Sequence, residues 1–478
     1  MTDDPASLDL SATEMRAMAD ATVARVLAHI ASLPDQPAIG DYEDVVARCR
    51  ALREPPPEAP TPFEALLEQV FDVCVPCSYT TSGPGYLAYI PGGGVFPAAL
   101  ADLIQDVTNR FTGIWHPAPL LVQLEANVLE WLTTLMGFPP STRGMFGTGG
   151  SAANFSAIVC AREQRLGPAI RDGVMYASTQ VHHSVVKSAR LAGIAADRLR
   201  VLPVDEGFRL QVPALAEAIR ADRRRGLRPF LVVTSAGTTN TGAVDPLEVV
   251  ADLCAAEGLW HHVDGAYGAF FHLCEETRPA LRGLPRADSL TLDPHKGLCL
   301  PYGTGALLVR DGAALRAVHA VAAGYLPPQG DDDVYDPSQY SPDLSRGAPG
   351  LRVWLCLKVF GLARYRAALR EKHELATYAA SRLAQLPGMT LVAPPVLSLL
   401  AFQLAPPGAP REESTRATRE LAQRLLARRR IFLSGATADD GRFLARICIL
   451  SFRTRRPQID LCLHEIEEVS AEILRERG

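Results

Sequence analysis

The sequence lacks the patterns that mark metal-binding, membrane-spanning and nucleic-acid-binding proteins. Its ten cysteines are scattered. Cys74 and Cys77 have the spacing of half a metal site, but Pro76 lies between them and no second half follows. No apolar run is as long as a membrane span. A formal net charge of −5 provides no general attraction for nucleic acid or anionic lipid. We therefore predict no metal, no nucleic-acid partner and no membrane partner.

The remaining composition is typical of a cytoplasmic globular protein. Hydrophobic residues make up 47% and charged residues 21% of the 478 residues, enough for two or three packed units. The cysteines are expected to be free thiols in a reducing compartment. The first ten residues, MTDDPASLDL, are acidic and polar, unlike a secretory signal, so we expect a cytoplasmic location.

Residues 1–105 predict a helical segment followed by an irregular one. Apolar residues recur at helical spacing over 11–32, and Ser11 with Glu14 forms a capping-box pattern at the start of that helix. Residues 82–94, SGPGYLAYIPGGG, combine glycine and proline with tyrosine and isoleucine. This composition favours the wall of a pocket over a simple linker.

Residues 106–345 predict a larger α/β domain. From about 120 to 310, helical stretches alternate with short apolar strands, a pattern typical of a mainly parallel sheet covered on both faces. Ligands of such sheets bind beyond the carboxyl ends of the strands, and the unusual residues of this sequence follow those ends. The predicted strands are 173–178, 199–204, 229–236, 259–264, 289–293 and 305–310.

Residues 346–478 predict a smaller α+β domain. Before it lies a polar stretch at 324–349, rich in proline, glycine and aspartate, and a loop of this length is usually functional or disordered. The small domain has predicted helices near 350–385 and 412–430, predicted strands near 389–404 and 444–453, and a final helix.

Two of the strand ends present groups suited to imine chemistry. Lys296 follows strand 289–293 in a tight turn, where partial desolvation favours an amine nucleophile. Asp264 ends strand 259–264, so its carboxylate could pair with the nitrogen of a flat ring and keep that nitrogen charged. Taken singly, these residues are better explained as a surface lysine and as a helix-capping or turn aspartate.

The stretch 144–158, GMFGTGGSAANFSAI, contains a glycine-rich turn that leads into a predicted helix. Its glycines permit close backbone approach, and the helix that opens at Ser151 offers N–H groups to a phosphate. The letters also fit the dinucleotide pattern G-x-G-x-x-A. We reject that interpretation because no clear strand precedes the turn and no acidic residue is placed to bind a ribose.

Two more strand ends add histidines and hydroxyl groups. His182 and His183 follow strand 173–178, where an imidazole could stack on a ring or relay protons, although a structural histidine is the alternative for each. Thr238 and Thr239 follow another strand and could contact a ring substituent. Together the five features predict a site for pyridoxal 5′-phosphate, held as an imine by the lysine described above.

The sequence resembles the group II pyridoxal-phosphate-dependent amino-acid decarboxylases, which include aromatic-amino-acid, tyrosine, histidine and glutamate decarboxylases. The similarity covers nearly the whole chain, and its most specific parts are Asp-Pro-His-Lys at 293–296 and His-Val-Asp-x-Ala at 262–266. The resemblance implies an α/β, fold-type I homodimer with a mainly parallel seven-stranded sheet, an N-terminal helical segment and a small C-terminal domain. It also implies active sites at the subunit interface.

The resemblance further implies roles for individual residues. Lys296 would be the imine lysine, and Asp264 the partner of the ring nitrogen. Ala266 would lie beneath the ring and His182 above it. The phosphate and the ring edge are implied to contact Gly150, Ser151, Thr238 and His295.

A mobile catalytic loop at 324–346 is implied by the same resemblance, with a tyrosine that protonates the α-carbon. Tyr335 and Tyr340 are the candidates, and an ungapped match places Pro337 at the expected position. Family members without this tyrosine can be aldehyde synthases, in which oxygen intercepts the carbanionic intermediate.

The sequence departs from the family pattern at the cofactor site and at the substrate site. Asp293 stands where asparagine is common, and a carboxylate beside a phosphate is unfavourable unless it points away. Aromatic-specific members have phenylalanine at the positions aligned with Ile90 and Gly113. A substrate pocket formed by Tyr89, Ile90, Phe111 and Gly113 therefore does not predict an aromatic substrate.

The predicted activity is decarboxylation of an L-amino acid to the amine and CO₂. One alternative is oxygen-consuming decarboxylation and deamination to an aldehyde. Another is a different pyridoxal-phosphate lyase or transferase on the same fold. A non-catalytic binding subunit is disfavoured, because Lys296 and Asp264 are both present.

Overall fold

The N-terminal part of the chain is helical, as predicted. The computed structural model describes residues 7–321, 324 and 334–477. The capping box is present: the Glu14 amide donates to Ser11 Oγ at 3.2 Å, and the Ser11 amide donates to Glu14 Oε2 at 2.9 Å. The helix that follows, α1, buries none of its own residues. The helices of this part are α1 (Ala12–Ser32), α2 (Val45–Ala51), α3 (Phe63–Glu68), α4 (Phe96–Thr108) and α5 (Pro119–Leu135).

A seven-stranded sheet forms the centre of the molecule and confirms the predicted α/β class. Its order is β1-β7-β6-β5-β4-β2-β3, and every neighbouring pair is parallel except those that involve β7. Four of its strands are buried along their whole length, as expected for a sheet covered on both faces. The strands are β1 (Arg143–Gly147), β2 (Gly173–Ser178), β3 (Leu199–Leu202), β4 (Arg228–Ser235), β5 (Trp260–Asp264), β6 (Ser289–Leu292) and β7 (Gly305–Val309).

One sequence inference about this sheet was wrong. A strand, β1, does precede the glycine turn, although two of its five residues are glycine and give little strand signal. Its register with β7, Gly147 opposite Gly305, is antiparallel. The dinucleotide pattern requires a parallel βαβ unit. An edge strand paired in this way does not supply one.

Helices cover the sheet, and α6 crosses its centre. More than half of the α6 residues are buried, because this helix packs against five neighbouring strands of the sheet, from β1 to β4 in the sheet order. Its first turn therefore faces the carboxyl ends of the parallel strands. The helices of this layer are α6 (Gly150–Leu166), α7 (His183–Leu191), α8 (Val212–Arg224), α9 (Leu247–Glu257), α10 (Pro294–Gly297) and α11 (Gly312–His319).

The C-terminal part contains a second, antiparallel sheet of order β10-β11-β9-β8. The predicted strand at 389–404 is two strands here, and β10 was missed because its sequence, SGAT, has no apolar alternation. The elements are α12 (Pro349–Leu383), β8 (Met389–Leu391), β9 (Leu399–Leu404), α13 (Arg411–Arg428), β10 (Ser434–Thr437), β11 (Phe443–Cys448) and α14 (Arg456–Arg477). The predicted domain boundaries stay predictions.

Three other sequence expectations concern thiols, membranes and the loop. All ten cysteines are free, as predicted. Within the described part of the chain, no helix combines the length and the apolar character needed to cross a bilayer. Of the predicted catalytic loop at 324–346, residues 325–333 lie outside the described residues.

Candidate active site

A cavity of about 380 Å³ opens at the carboxyl ends of the parallel strands. It lies between the first turn of α6 and the residues that follow β2, β4, β5 and β6, as expected for a sheet of this type. All nine residues predicted to bind the cofactor line this cavity: Gly150, Ser151, His182, Thr238, Asp264, Ala266, Asp293, His295 and Lys296.

Lys296 lies on the short helix α10, directly after β6. Its Nζ atom is 2.9 Å from Oδ2 of Asp293, whose side chain is only 2% exposed. The other oxygen, Asp293 Oδ1, is buried without a hydrogen-bond partner among the described atoms. The amine is therefore held inside the cavity by one carboxylate oxygen, while the second oxygen remains available to an additional donor.

Asp264 ends β5 with both carboxylate oxygens accepting hydrogen bonds. Oδ1 accepts from the Ala266 amide at 3.1 Å, and Oδ2 accepts from Nδ2 of Asn154 at 2.9 Å. These two hydrogen bonds fix the orientation of the carboxylate, which lines the cavity.

Asn154 is a site residue that sequence reasoning missed. It is 1% exposed and lies one turn after the glycine turn on α6, facing the cavity. Its position gave one usable signal, because residues i and i+4 of a helix share a face and Gly150 was already implicated. Nothing in the sequence indicated its partner Asp264, which is 110 residues away.

His182 caps the N-terminus of α7. Its Nδ1 atom accepts a hydrogen bond from the Ser184 amide at 3.3 Å and lies 2.8 Å from Ser184 Oγ. Burial lowers the pKa of this imidazole below its usual value, so the ring is neutral at neutral pH. The neighbouring imidazole of His183 packs against it, with ring centroids 4.1 Å apart.

The glycine turn is closely packed against the residues that follow β5 and β6. A Cβ atom added to Gly150 would lie 3.0 Å from both Ala266 Cβ and Asp293 Oδ2, so a side chain there would crowd the site. The first N–H groups of a helix have no intrahelical partner, and the residues at the start of α6, Gly150 and Ser151, line the cavity. His295 flanks the turn, with its Nδ1 atom donating to the Thr304 carbonyl at 2.8 Å.

The predicted proton donors lie elsewhere. The hydroxyl of Tyr335 donates to the Gly144 carbonyl at 3.1 Å, and its ring stacks on Tyr340 with a centroid distance of 5.4 Å and an interplanar angle of 10°. Among the described residues that line the cavity, neither tyrosine is present. Since Gly144 is near the start of β1, this position is remote from the strand end at which the cavity opens.

The four predicted substrate-pocket residues also lie outside the cavity of their own chain. Tyr89 is 53% exposed, whereas Ile90 is buried in the main core cluster. A Cβ atom at Gly113 would lie 1.7 Å from the Leu344 carbonyl oxygen, so the backbone approach there requires glycine. Phe111 is partly exposed, on the surface close to this contact.

The chain is similar to known proteins along most of its length. A family model described as pyridoxal-dependent decarboxylase conserved domain matches residues 48–405. An aromatic-L-amino-acid decarboxylase of Bacillus atrophaeus is 31% identical over 473 residues, which are 98% of either protein. An L-2,4-diaminobutyrate decarboxylase of Rhizobium meliloti (strain 1021) is also 31% identical, over 88% of this chain and 84% of that protein.

Solved structures agree with these sequence matches. The crystal structure of Oryza sativa TDC with PLP and tryptamine superposes with a TM-score of 0.93 at 25% identity. The match covers 98% of this chain and 100% of that chain.

The residues of the cavity fit pyridoxal 5′-phosphate. Lys296 supplies an amine for its aldehyde, and the glycine turn leaves room that a Cβ would fill and offers N–H donors for its phosphate. Asp264 supplies a buried carboxylate for its ring nitrogen. Each chemical group of the cofactor therefore has a complementary protein group within one cavity.

Proposed function

The chain belongs to the pyridoxal-dependent decarboxylases and uses pyridoxal phosphate, and we propose that it removes the α-carboxylate of an L-amino acid to release the amine and CO₂. The observation that carries the proposal is the meeting of Lys296, Asp264 and His182 in one cavity. An amine for covalent attachment, a carboxylate for the ring nitrogen and a neutral imidazole are the groups that this chemistry requires.

The roles of these residues follow from their positions. When bound, the cofactor supplies a ring that accepts the electron pair released as CO₂ leaves. Asp264, with both oxygens hydrogen-bonded, would keep a proton on the ring nitrogen. Lys296 would hold the cofactor through Nζ, and the neutral, half-buried imidazole of His182, which lines the same cavity, would orient the reacting group.

The substrate proposal extends to an L-amino acid and no further. Similar proteins act on chemically different side chains, since their names include aromatic-L-amino-acid and L-2,4-diaminobutyrate decarboxylases. The positions aligned with aromatic specificity, Ile90 and Gly113, do not line the cavity of their own chain. A screen of L-amino acids for released CO₂ therefore identifies the side chain of the substrate directly.

Product analysis tests the proposed reaction. With the accepted amino acid, we expect CO₂ and amine in equal amounts, without added keto acid and without oxygen uptake. Product that forms only with a keto acid would indicate an aminotransferase. Aldehyde with stoichiometric peroxide would contradict simple decarboxylation.

The aldehyde reaction is the second candidate because Tyr335 and Tyr340 lie outside the cavity. Tyr335→Phe and Tyr340→Phe form a matched pair for the same assay. The tyrosine that protonates the α-carbon should, when changed, reduce amine and increase aldehyde, while the other variant keeps the wild-type ratio. Wild-type ratios from both variants would remove both residues as proton donors.

We propose in addition that the protein is a homodimer. Large apolar side chains are exposed on α1 and α4, including Val23, Leu27, Leu103 and Val107, and α1 buries no residue within its own chain. Exposed apolar faces of this kind mark protein interfaces. Light scattering on the purified protein should give about twice the chain mass of 51.5 kDa. A monomeric mass with full activity would contradict the proposal.

A further inference from the structure

Several hydrogen bonds with defined donors and acceptors meet at Asn154, which lines the cavity. A carboxylate only accepts hydrogen bonds, so the atom of Asn154 that lies 2.9 Å from Asp264 must be the amide nitrogen, Nδ2. The amide oxygen then faces the Thr291 hydroxyl at 2.7 Å and His262 Nε2 at 3.0 Å. The reverse orientation would place oxygen against carboxylate oxygen and is excluded.

The amide orientation determines the proton position on His262. Burial lowers the pKa of this imidazole to about 4, so it is neutral and has one N–H. Because Asn154 Oδ1 accepts, that N–H is on Nε2, and Nδ1 must accept from Ser289 Oγ at 2.8 Å. Trp260 Nε1, which can only donate, donates to the same Ser289 oxygen at 2.8 Å. The hydroxyl proton of Ser289 is therefore free to point toward His262.

The second N–H of Asn154 determines which ring nitrogen of His182 carries the proton. Nδ2 donates to Ser184 Oγ at 3.0 Å, which directs the Ser184 proton toward His182 Nδ1 at 2.8 Å. The Ser184 amide donates to the same nitrogen. Since His182 Nδ1 accepts both bonds, the single proton of the neutral ring is on Nε2.

We propose that Asn154 is a positioning residue that holds the charge of Asp264 and the Nε2-protonated form of His182 at the same time. This inference rests on the proposed function, because both groups act on the bound cofactor. Asn154 itself uses all of its hydrogen-bonding capacity, with two bonds donated and two accepted, and is 1% exposed. One N–H of Asn154 donates to Asp264, and the other donates to Ser184, which in turn contacts His182.

Replacing Asn154 by leucine tests the proposal, since leucine has the same branching at Cγ and no polar atoms. The Asp264 carboxylate then loses one of its two donors. Loss of a hydrogen bond to a charged group is expected to change the affinity for the cofactor by about tenfold or more. We expect Asn154→Leu to raise the dissociation constant of pyridoxal 5′-phosphate for the apoenzyme at least about tenfold. Quenching of tryptophan fluorescence on titration measures it. Ser156→Ala, a buried change two residues along the same helix and outside the network, should leave the constant unchanged.

A double-mutant cycle distinguishes positioning from a general packing defect. If Asn154 acts through Asp264, then Asn154→Leu should have little effect on cofactor affinity once Asp264→Asn is present. Additive losses from the two changes would overturn the proposal. So would an unchanged affinity in the single variant.

The Ser184 branch provides the second readout. Ser184→Ala interrupts the link to His182 and keeps the bond to Asp264, so we expect less than about a threefold change in cofactor affinity with a lower kcat and an unchanged KM. Equal losses of affinity in Ser184→Ala and Asn154→Leu would contradict the two-branch arrangement.

Two controls separate the possible failures. Wild-type protein that binds no pyridoxal 5′-phosphate would contradict the proposed function, whereas wild-type binding with an unaffected Asn154→Leu would contradict this inference alone. If Asn154→Leu does not fold, Thr291→Val removes one of the two donors to Asn154 Oδ1 with little change of shape. It should weaken cofactor binding about twofold to fivefold, and an unchanged affinity would count against the proposal.

Discussion

Replacing Lys296 by alanine should abolish covalent attachment of the cofactor and reduce kcat about 10³-fold or more, because Lys296 is the only lysine among the described residues that line the cavity. The absorbance band at roughly 400–430 nm that marks attachment should disappear. Spectra and product formation measured on the same preparations check both effects. Retained absorbance with retained activity would remove Lys296 from its proposed role.

The lysine content of the chain makes the control simple. There are four lysines, Lys187, Lys296, Lys358 and Lys372. Lys187 is exposed on α7, so Lys187→Ala should keep the band and the activity. Borohydride reduction followed by peptide mapping should place the cofactor on the peptide that contains Lys296. A label on any of the other three would contradict the assignment.

Replacing Asp264 by asparagine should have the second largest effect. The ring nitrogen loses its charged partner, and loss of such preorganised charge reduces kcat about 10²–10³-fold. Two groups, the Ala266 amide and Asn154, donate hydrogen bonds to the two oxygens of Asp264. Asparagine has only one acceptor oxygen, so one of these donors would lose its partner. We therefore expect weaker cofactor binding as well as slower turnover, measured by titration of the apoenzyme and by steady-state kinetics.

Asp245 provides a matched control for Asp264. It is buried, and both of its oxygens accept backbone hydrogen bonds, from Leu210 at 2.7 Å and Ser235 at 2.8 Å, but it does not line the cavity. Asp245→Asn should lower the thermal unfolding temperature to a similar extent as Asp264→Asn while leaving cofactor affinity intact. If both variants lose cofactor equally, the weaker cofactor binding of Asp264→Asn results from impaired folding and not from the loss of the ring-nitrogen partner.

Much of the candidate site could be predicted because of one topological rule. The carboxyl ends of parallel strands meet at one edge of a sheet, so features that follow separate strands in the sequence come together in space. Lys296 after β6, Asp264 at the end of β5 and His182 after β2 all obey this rule and line one cavity. Apolar runs bounded by turns located those strands, although they missed β1, whose glycines weaken the pattern.

What the rule could not supply are contacts between distant residues of the chain. The amide of Asn154 meets Asp264 from 110 residues away and His262 from 108 residues away, and no local pattern indicates either pairing. The same limit applies to Gly113. The substrate-pocket role of Gly113 stays a prediction, and no local pattern indicated that its backbone lies against the carbonyl of Leu344.

The sequence by itself determined the α/β class, the cofactor and the residues at the strand ends, because periodicity and turn chemistry are local properties of the chain. Only the tertiary structure decided how those residues are held. The shared amide of Asn154 depends on packing α6 across the sheet, against β5 and β6. Hydrogen bonds between side chains that are far apart in the chain form only after distant elements have come together, so their partners are absent from any sequence window.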